Sequence, residues 1–239
     1  MKSVLVSSIG LFIAGSFSRA LLFAGLAAEA AYLGIRGLSM GRLPLLGPHD
    51  TLAFFSAAIA LMALATSFSP ALAGRRWFNA ASGLGAALFA LCALMFPVSH
   101  MPLPQILDTP WFEAHVALAF LAYALFAISA LLSAGYIAGK DRGLLDLQFK
   151  AALTGWSFFS ASMIAGGIWG YYAWGTYWLW TPKELWTSIL WLFYALFLHL
   201  RLKGARWNAL AAWIGIVGFA VTLFTYLGVS LLMKSSHGF

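Results

Sequence analysis

Residues 169–182 read WGYYAWGTYWLWTP. Trp169, Tyr171, Tyr172, Trp174, Tyr177, Trp178 and Trp180 crowd together on both sides of Gly175. The flanks of this stretch decide the fold class. Apolar segments, about 151–169 and 185–201, lie on either side, each near the roughly 20 residues a helix needs to cross the hydrocarbon core. The stretch is therefore read as an outer loop, about 169–184, between two membrane-crossing helices. An interface normally carries only one or two Trp or Tyr side chains per helix end. One reading of the excess is an exaggerated interfacial belt. The other is a platform for a large flat ligand, with haem the first candidate.

The rest of the chain agrees with the membrane setting. Of 239 residues, 62% are hydrophobic and 9% charged, against roughly 25% charged in a soluble domain. The mean hydropathy is +0.88. The expected fold is all-α: a polytopic transmembrane helical bundle forming a single integral membrane domain over residues 1–239. About seven spans are expected, near 10–35, 51–69, 78–97, 115–138, 151–169, 185–201 and 208–232. The first contains Arg19 and Glu29, so it is expected to tilt or to extend past the bilayer. Those two residues are assigned structural roles. The single Cys92 leaves neither a disulfide framework nor a cysteine metal site within the chain. No cleavable signal peptide, internal repeat or soluble domain is evident. The net charge of +7 does not point to nucleic acid, because the basic residues sit in short loops. Lys2, Arg75, Arg76, Lys140, Arg142, Lys150, Arg201, Lys203 and Arg206 would share one side, and Arg36, Arg42, Lys183 and Lys234 the other. The excess predicts N-in/C-out, with the aromatic loop and the C-terminal tail outside.

On this map His115 opens the fourth span at its outer end, and His237 follows the last span on the same side. Two neutral imidazoles from opposite sides can ligate haem iron while aromatic rings pack against the macrocycle. The bland alternative is a pair of interfacial hydrogen-bonded histidines. His199 lies at the inner end of its span, too far away to serve the same haem. His49 and His100 are read as solvated residues of outer loops. Pro182 suits a first helical turn, and capping is a sufficient role for Glu184. Lys183 is a candidate partner for a haem propionate.

WGTYWLWTPKELWTSILWLFYALFLHLR, residues 174–201, resembles the tryptophan-rich WWD signature of the CcsA/CcmC/CcmF haem-handling superfamily. It is nearest the CcsA (ResC) branch, whose pattern is close to WGxYWxWDPKExWxxxxWxxYxxxLHxR. GRLPLLGPHDTLAFF (41–55) resembles that branch's GxFPLxNxYESLxFF. The helix from His115 resembles HVxxxxxxYxxFxxxxxLxxxYL. FTYLGVSLLMKSSHGF (224–239) resembles FTYxGVNxLxxGLHSY. The four segments occur in family order.

The resemblance implies transport of haem b, or its presentation on the periplasmic face of a bacterial inner (plasma) membrane. There it would be attached covalently to apocytochrome c, with this chain as one subunit of a cytochrome c synthase (haem lyase). It implies His115 and His237 as the outer haem-iron ligands, and Trp169, Trp174, Trp178 and Trp180 as the platform. Gly170 and Gly175 would allow close backbone approach. His199 would be an intramembrane haem ligand whose opposite ligand belongs to a CcsB/ResB-like partner. The signature aspartate is replaced by Thr181, the YES glutamate by Asp50 and the GVN asparagine by Ser230. Two other readings stay open: a membrane-bound b-type cytochrome subunit for electron transfer, and a divergent assembly paralogue with reduced synthase activity.

Overall fold

The computed structural model describes residues 2–98 and 104–233, and among them every regular element is a helix. Seven of these helical stretches are long and apolar enough to cross a membrane, and the chain is an integral membrane protein. Two compact units meet in sequence between residues 102 and 103.

The first unit holds α1 (Lys2–Gly15), α2 (Arg19–Met40), α3 (Gly47–Ser67) and α4 (Arg76–Leu94). The expected first span, 10–35, is two helices. Ser18 is extended and its side chain accepts from the Ala20 amide, starting α2 afresh. A hydropathy window does not detect this cap, because the residues around it remain apolar. α1 then doubles back beside α2: Gly15 lies against Leu22 and Gly25 against the Phe12 ring. Arg19 thus leaves the span interior for the α2 terminus, where its guanidinium lies over the Phe68 ring at 5.7 Å. The start of α1 therefore points toward the other end of the unit, and the expected grouping of Lys2 with Arg75 and Arg76 on one side, on which N-in rested, is corrected.

A polar stripe joins α2 to α3. Glu29, Tyr32 and Arg36 fall on one face of α2 by helical spacing. Glu29 contacts the Ser56 hydroxyl at 2.9 Å. The Tyr32 hydroxyl meets His49 Nε2 at 2.6 Å. The Arg36 guanidinium grips Asp50 through two bonds of 2.5 and 2.8 Å. Inside a bilayer such groups must be satisfied within the protein, and they fix helix pairing. The expectation of a solvated His49 is therefore corrected. Pro48 sits in the first turn of α3, so helix begins before the hydropathy rises. His49 is buried at 2% exposure. Its Nδ1 faces the Ala93 carbonyl at 2.8 Å. A carbonyl only accepts, so Nδ1 carries the proton and Nε2 accepts from Tyr32. His100 lies outside the described residues.

The second unit holds α5 (Pro110–Gly139), α6 (Gly143–Trp174), α7 (Pro182–Leu202), α8 (Asn208–Leu223), a π-helical turn (Phe224–Gly228) and α9 (Val229–Leu232). α5 and α6 form a long hairpin. Thr109 caps the first turn of α5, and left-handed Lys140 ends it. At roughly 1.5 Å per residue each exceeds the bilayer core, so the helices tilt or extend past it. Phe126 on α5 stacks on Tyr194 of α7, 3.5 Å between centroids, which ties the hairpin to α7. The π turn resets the register of the last helix. It places Phe224 against Trp186 at 4.5 Å and Tyr226 against Phe120 at 4.9 Å.

Candidate functional site

α6 does not stop at residue 169. Nothing in WGYYAW breaks a helix, so it runs on to Trp174. Gly175, at φ +72°, ends it, its amide donating to Tyr171 O. The connection is thus shorter than the expected loop of about 169–184. Residues 175–181 fold back on α6. The backbone carbonyl of Thr176 passes so near Gly170 that a Cβ there would stand 3.3 Å from it. Gly170 allows the close approach expected of it, and Gly175 supplies the turn.

This geometry divides the predicted platform. Trp169 is buried at 2% exposure. Its Nε1 donates to the Ile106 carbonyl at 2.7 Å. Trp174 and Phe112 pack on its ring at 4.8 and 5.2 Å. In this arrangement Trp169 lies beneath the exposed rings of the segment rather than among them. Trp174 and Trp178 are half-buried. The open surface belongs to Tyr172, Tyr177 and Trp180, with Tyr171 and Tyr177 stacked at 4.7 Å. Trp169→Phe is expected to leave the Ile106 carbonyl without its donor and to destabilise this end of the unit by about 1–3 kcal/mol. Thermal unfolding in detergent measures it, and an unchanged midpoint would refute the bond's importance.

The start of α7 carries a capping box. Thr181 Oγ1 accepts from the Glu184 amide, and Glu184 Oε2 accepts from the Thr181 amide at 3.0 Å. The capping role expected of Glu184 holds, and Thr181 fills the cap position. The same Oε2 also accepts from the Leu179 amide at 2.8 Å. The carboxylate thus straddles Trp180, whose backbone is left-handed at φ +57°. For a bulky residue that conformation costs of order 1–2 kcal/mol.

His115 sits one and a half turns inside α5, half-buried against α6. Its Nδ1 faces the Ser162 carbonyl at 2.8 Å. A carbonyl accepts only, so Nδ1–H is the donor and Nε2 keeps its lone pair. The Ser162 hydroxyl returns a bond to the His115 carbonyl at 2.8 Å. The imidazole lies flat on Gly166, where a Cβ would come within 2.6 Å of Nδ1. A carbonyl partner that fixes the ring and its tautomer is the usual support of a metal-binding histidine. Neither Ser162 nor Gly166 belongs to a motif that stands out in the sequence. The small-residue spacing Ser162, Gly166 on a spanning helix was the available signal.

Lys183 opens α7 at this end, within electrostatic range of His115. Its ammonium donates to Ser230 Oγ at 3.2 Å. His199 lies far along the same helix, roughly 25 Å from Pro182 by helical rise. Its Nδ1 donates to the Ala195 carbonyl at 2.7 Å, and the residue is exposed. It shares an outward face with Leu185, Leu192 and Leu196. The structure therefore gathers His115, Trp169, Trp174 and Lys183 at one end of the unit and keeps His199 apart. His237 lies outside the described residues. Among the described residues no cluster of three or more His, Cys, Asp or Glu side chains forms a metal site. Any iron held here depends on single histidines and flat stacking surfaces. One free imidazole lone pair, exposed rings and a nearby cation form a donor set that fits haem.

The chain matches the family model described as Cytochrome C assembly protein over residues 47–237. It is 28% identical to the cytochrome c biogenesis protein CcsA of Synechococcus sp. (strain CC9902), across 87% of this chain and 82% of that protein. Identity to the CcsA of Chlamydomonas reinhardtii is 32%, across 58% of this chain and 43% of that one. Among solved structures, the cytochrome c haem lyase CcmF superposes on 98% of this chain with a TM-score of 0.70 and 19% identity. This chain spans 45% of that structure's length. At such identity the shared property is the fold.

Proposed function

This chain belongs to the cytochrome c assembly protein family, and from that premise we propose that it holds haem b on the periplasmic face of a bacterial inner membrane for attachment to apocytochrome c. The observation that carries the reading is His115: a buried-side Nδ1–H fixed by Ser162 and an Nε2 lone pair left available. His115 would ligate the iron, and His237 would be the second ligand. Tyr172, Tyr177, Trp178 and Trp180 supply stacking surface, with Trp169 and Trp174 beneath them. The Lys183 ammonium, beside Ser230, would pair with a propionate.

The chemistry asked of these residues is positional. Each apocytochrome thiol adds across a haem vinyl group, sulfur to one carbon and hydrogen to the other, with no oxidant consumed. Holding the vinyl edge in place makes an intermolecular encounter local. A histidine of the incoming cytochrome then displaces one outer ligand and frees the product. His199, on an outward apolar face, receives a second haem whose opposite ligand comes from a CcsB-like partner. The basic residues Arg19, Arg75 and Arg76 at one end of the first unit, and Lys140, Arg142, Lys203 and Arg206 in the second, mark cytoplasmic ends. The C-terminus is then outside.

Pyridine-haemochrome spectra of the purified chain, alone and co-expressed with a CcsB-like partner, test the reading. Haem b is expected in both preparations. His199→Ala is expected to remove only the partner-dependent fraction. A wild-type chain that carries no haem even with its partner overturns the proposal.

A further inference from the structure

Trp180 is a left-handed tryptophan at a position where glycine or asparagine would be free of strain. The residue is 71% exposed, so the strained backbone is not offset by burial of the ring. The backbone is instead held from outside. Glu184 Oε2 binds the amides on both sides of it, Leu179 at 2.8 Å and Thr181 at 3.0 Å. Thr181 Oγ1 in turn holds the amide of Glu184 at 3.4 Å. Strain that surrounding bonds impose, at a residue whose ring projects away from the protein, points to a contact made with something else.

We propose that Thr181 and Glu184 are positioning residues for Trp180, locking its indole outward as the stacking face for bound haem. This rests on the haem-holding reading above. It also accounts for the residue that stands in place of the signature aspartate. Residue 181 is the N-cap of α7, and the geometry uses its oxygen as an acceptor for a backbone amide. Threonine and aspartate both supply that acceptor. The negative charge of the clamp comes from Glu184.

The test uses the full-length chain in nanodiscs with two readouts. The first is hydrogen exchange of the 179–181 segment without haem. The second is haem affinity from the Soret band and tryptophan quenching. Thr181→Val and Glu184→Ala are expected to speed exchange and to weaken haem by about tenfold, the worth of one aromatic stacking contact. Thr181→Ser and Thr181→Asp are expected to match wild type in both. Trp180→Gly removes the ring and relieves the strain, so slow exchange persists while affinity falls as in Glu184→Ala. Fast exchange in Glu184→Ala with wild-type haem affinity overturns the proposal, as does wild-type affinity in Trp180→Gly. Failure of Thr181→Asp to bind overturns the equivalence of threonine and aspartate. A wild type that binds no haem overturns the haem-holding reading itself, and this proposal falls with it.

Discussion

Gly166→Ala is expected to strip the outer site of haem almost as completely as His115→Ala, although every ligand atom remains. An alanine Cβ would stand 2.6 Å from His115 Nδ1 and 2.8 Å from Cε1. A contact under 3.0 Å forces a shift, and the imidazole, the group in contact, is expected to be pushed off α6. In leaving it gives up the 2.8 Å bond to the Ser162 carbonyl that sets its tautomer. Overpacking and one lost, partly buried hydrogen bond together are expected to weaken retention by roughly a hundredfold. Gly167 is the internal control. It is the next residue on the same helix, and its Cβ would meet only the Tyr177 carbonyl at 3.5 Å, an ordinary contact. Gly167→Ala is expected to keep its haem. Soret absorbance per protein, after detergent purification, distinguishes the three variants. A Gly166→Ala protein with wild-type haem content and spectrum would show that the His115 orientation is irrelevant to binding.

Apolar run length alone located the membrane-crossing segments, since a bilayer imposes a length that few other environments do. The Thr181-Pro182-Lys183-Glu184 start of α7 was readable too, because a cap acts within four residues of sequence. Hydropathy failed where polarity and helix diverge. The break at Ser18 is made by one side chain in an apolar context. The start of α3 at Gly47 lies in a polar context and is still helix, so hydropathy alone places His49 in a loop. The aromatic stretch was misjudged in the same way, since rings do not stop a helix and Gly175 does. Ser162 and Gly166 depend on something a linear reading lacks: the register of α6 against α5 across an interval of 47 residues. His115 could be named from its own segment, but what holds it could not.

Asp50→Ala is expected to be among the most damaging single changes in the first unit, and for a reason unrelated to haem. The Asp50 carboxylate and the Arg36 guanidinium are both withdrawn from the surface, at 0% and 3% exposure. They meet in a two-point fork of 2.5 and 2.8 Å. A buried pair contributes little over an apolar pair of the same shape, yet removing one member leaves a charge in a medium that cannot solvate it. The expected loss is about 3–5 kcal/mol, read as a fall in the thermal midpoint of the detergent-solubilised protein. Asp50→Glu keeps the charge but adds a methylene in a packed stripe beside the Tyr32–His49 bond, and is expected to recover only part of the loss. The double variant Arg36→Met with Asp50→Leu removes both charges and is expected to recover most of it. If the double variant is no more stable than Asp50→Ala, the damage does not come from the orphaned charge. The pair would then matter for its shape, or for the negative charge at the first turn of α3. That comparison bears on the departure from the YES pattern: a shorter acid suffices here because Arg36, one turn beyond Tyr32 on the α2 face that also carries Glu29 toward α3, reaches it directly.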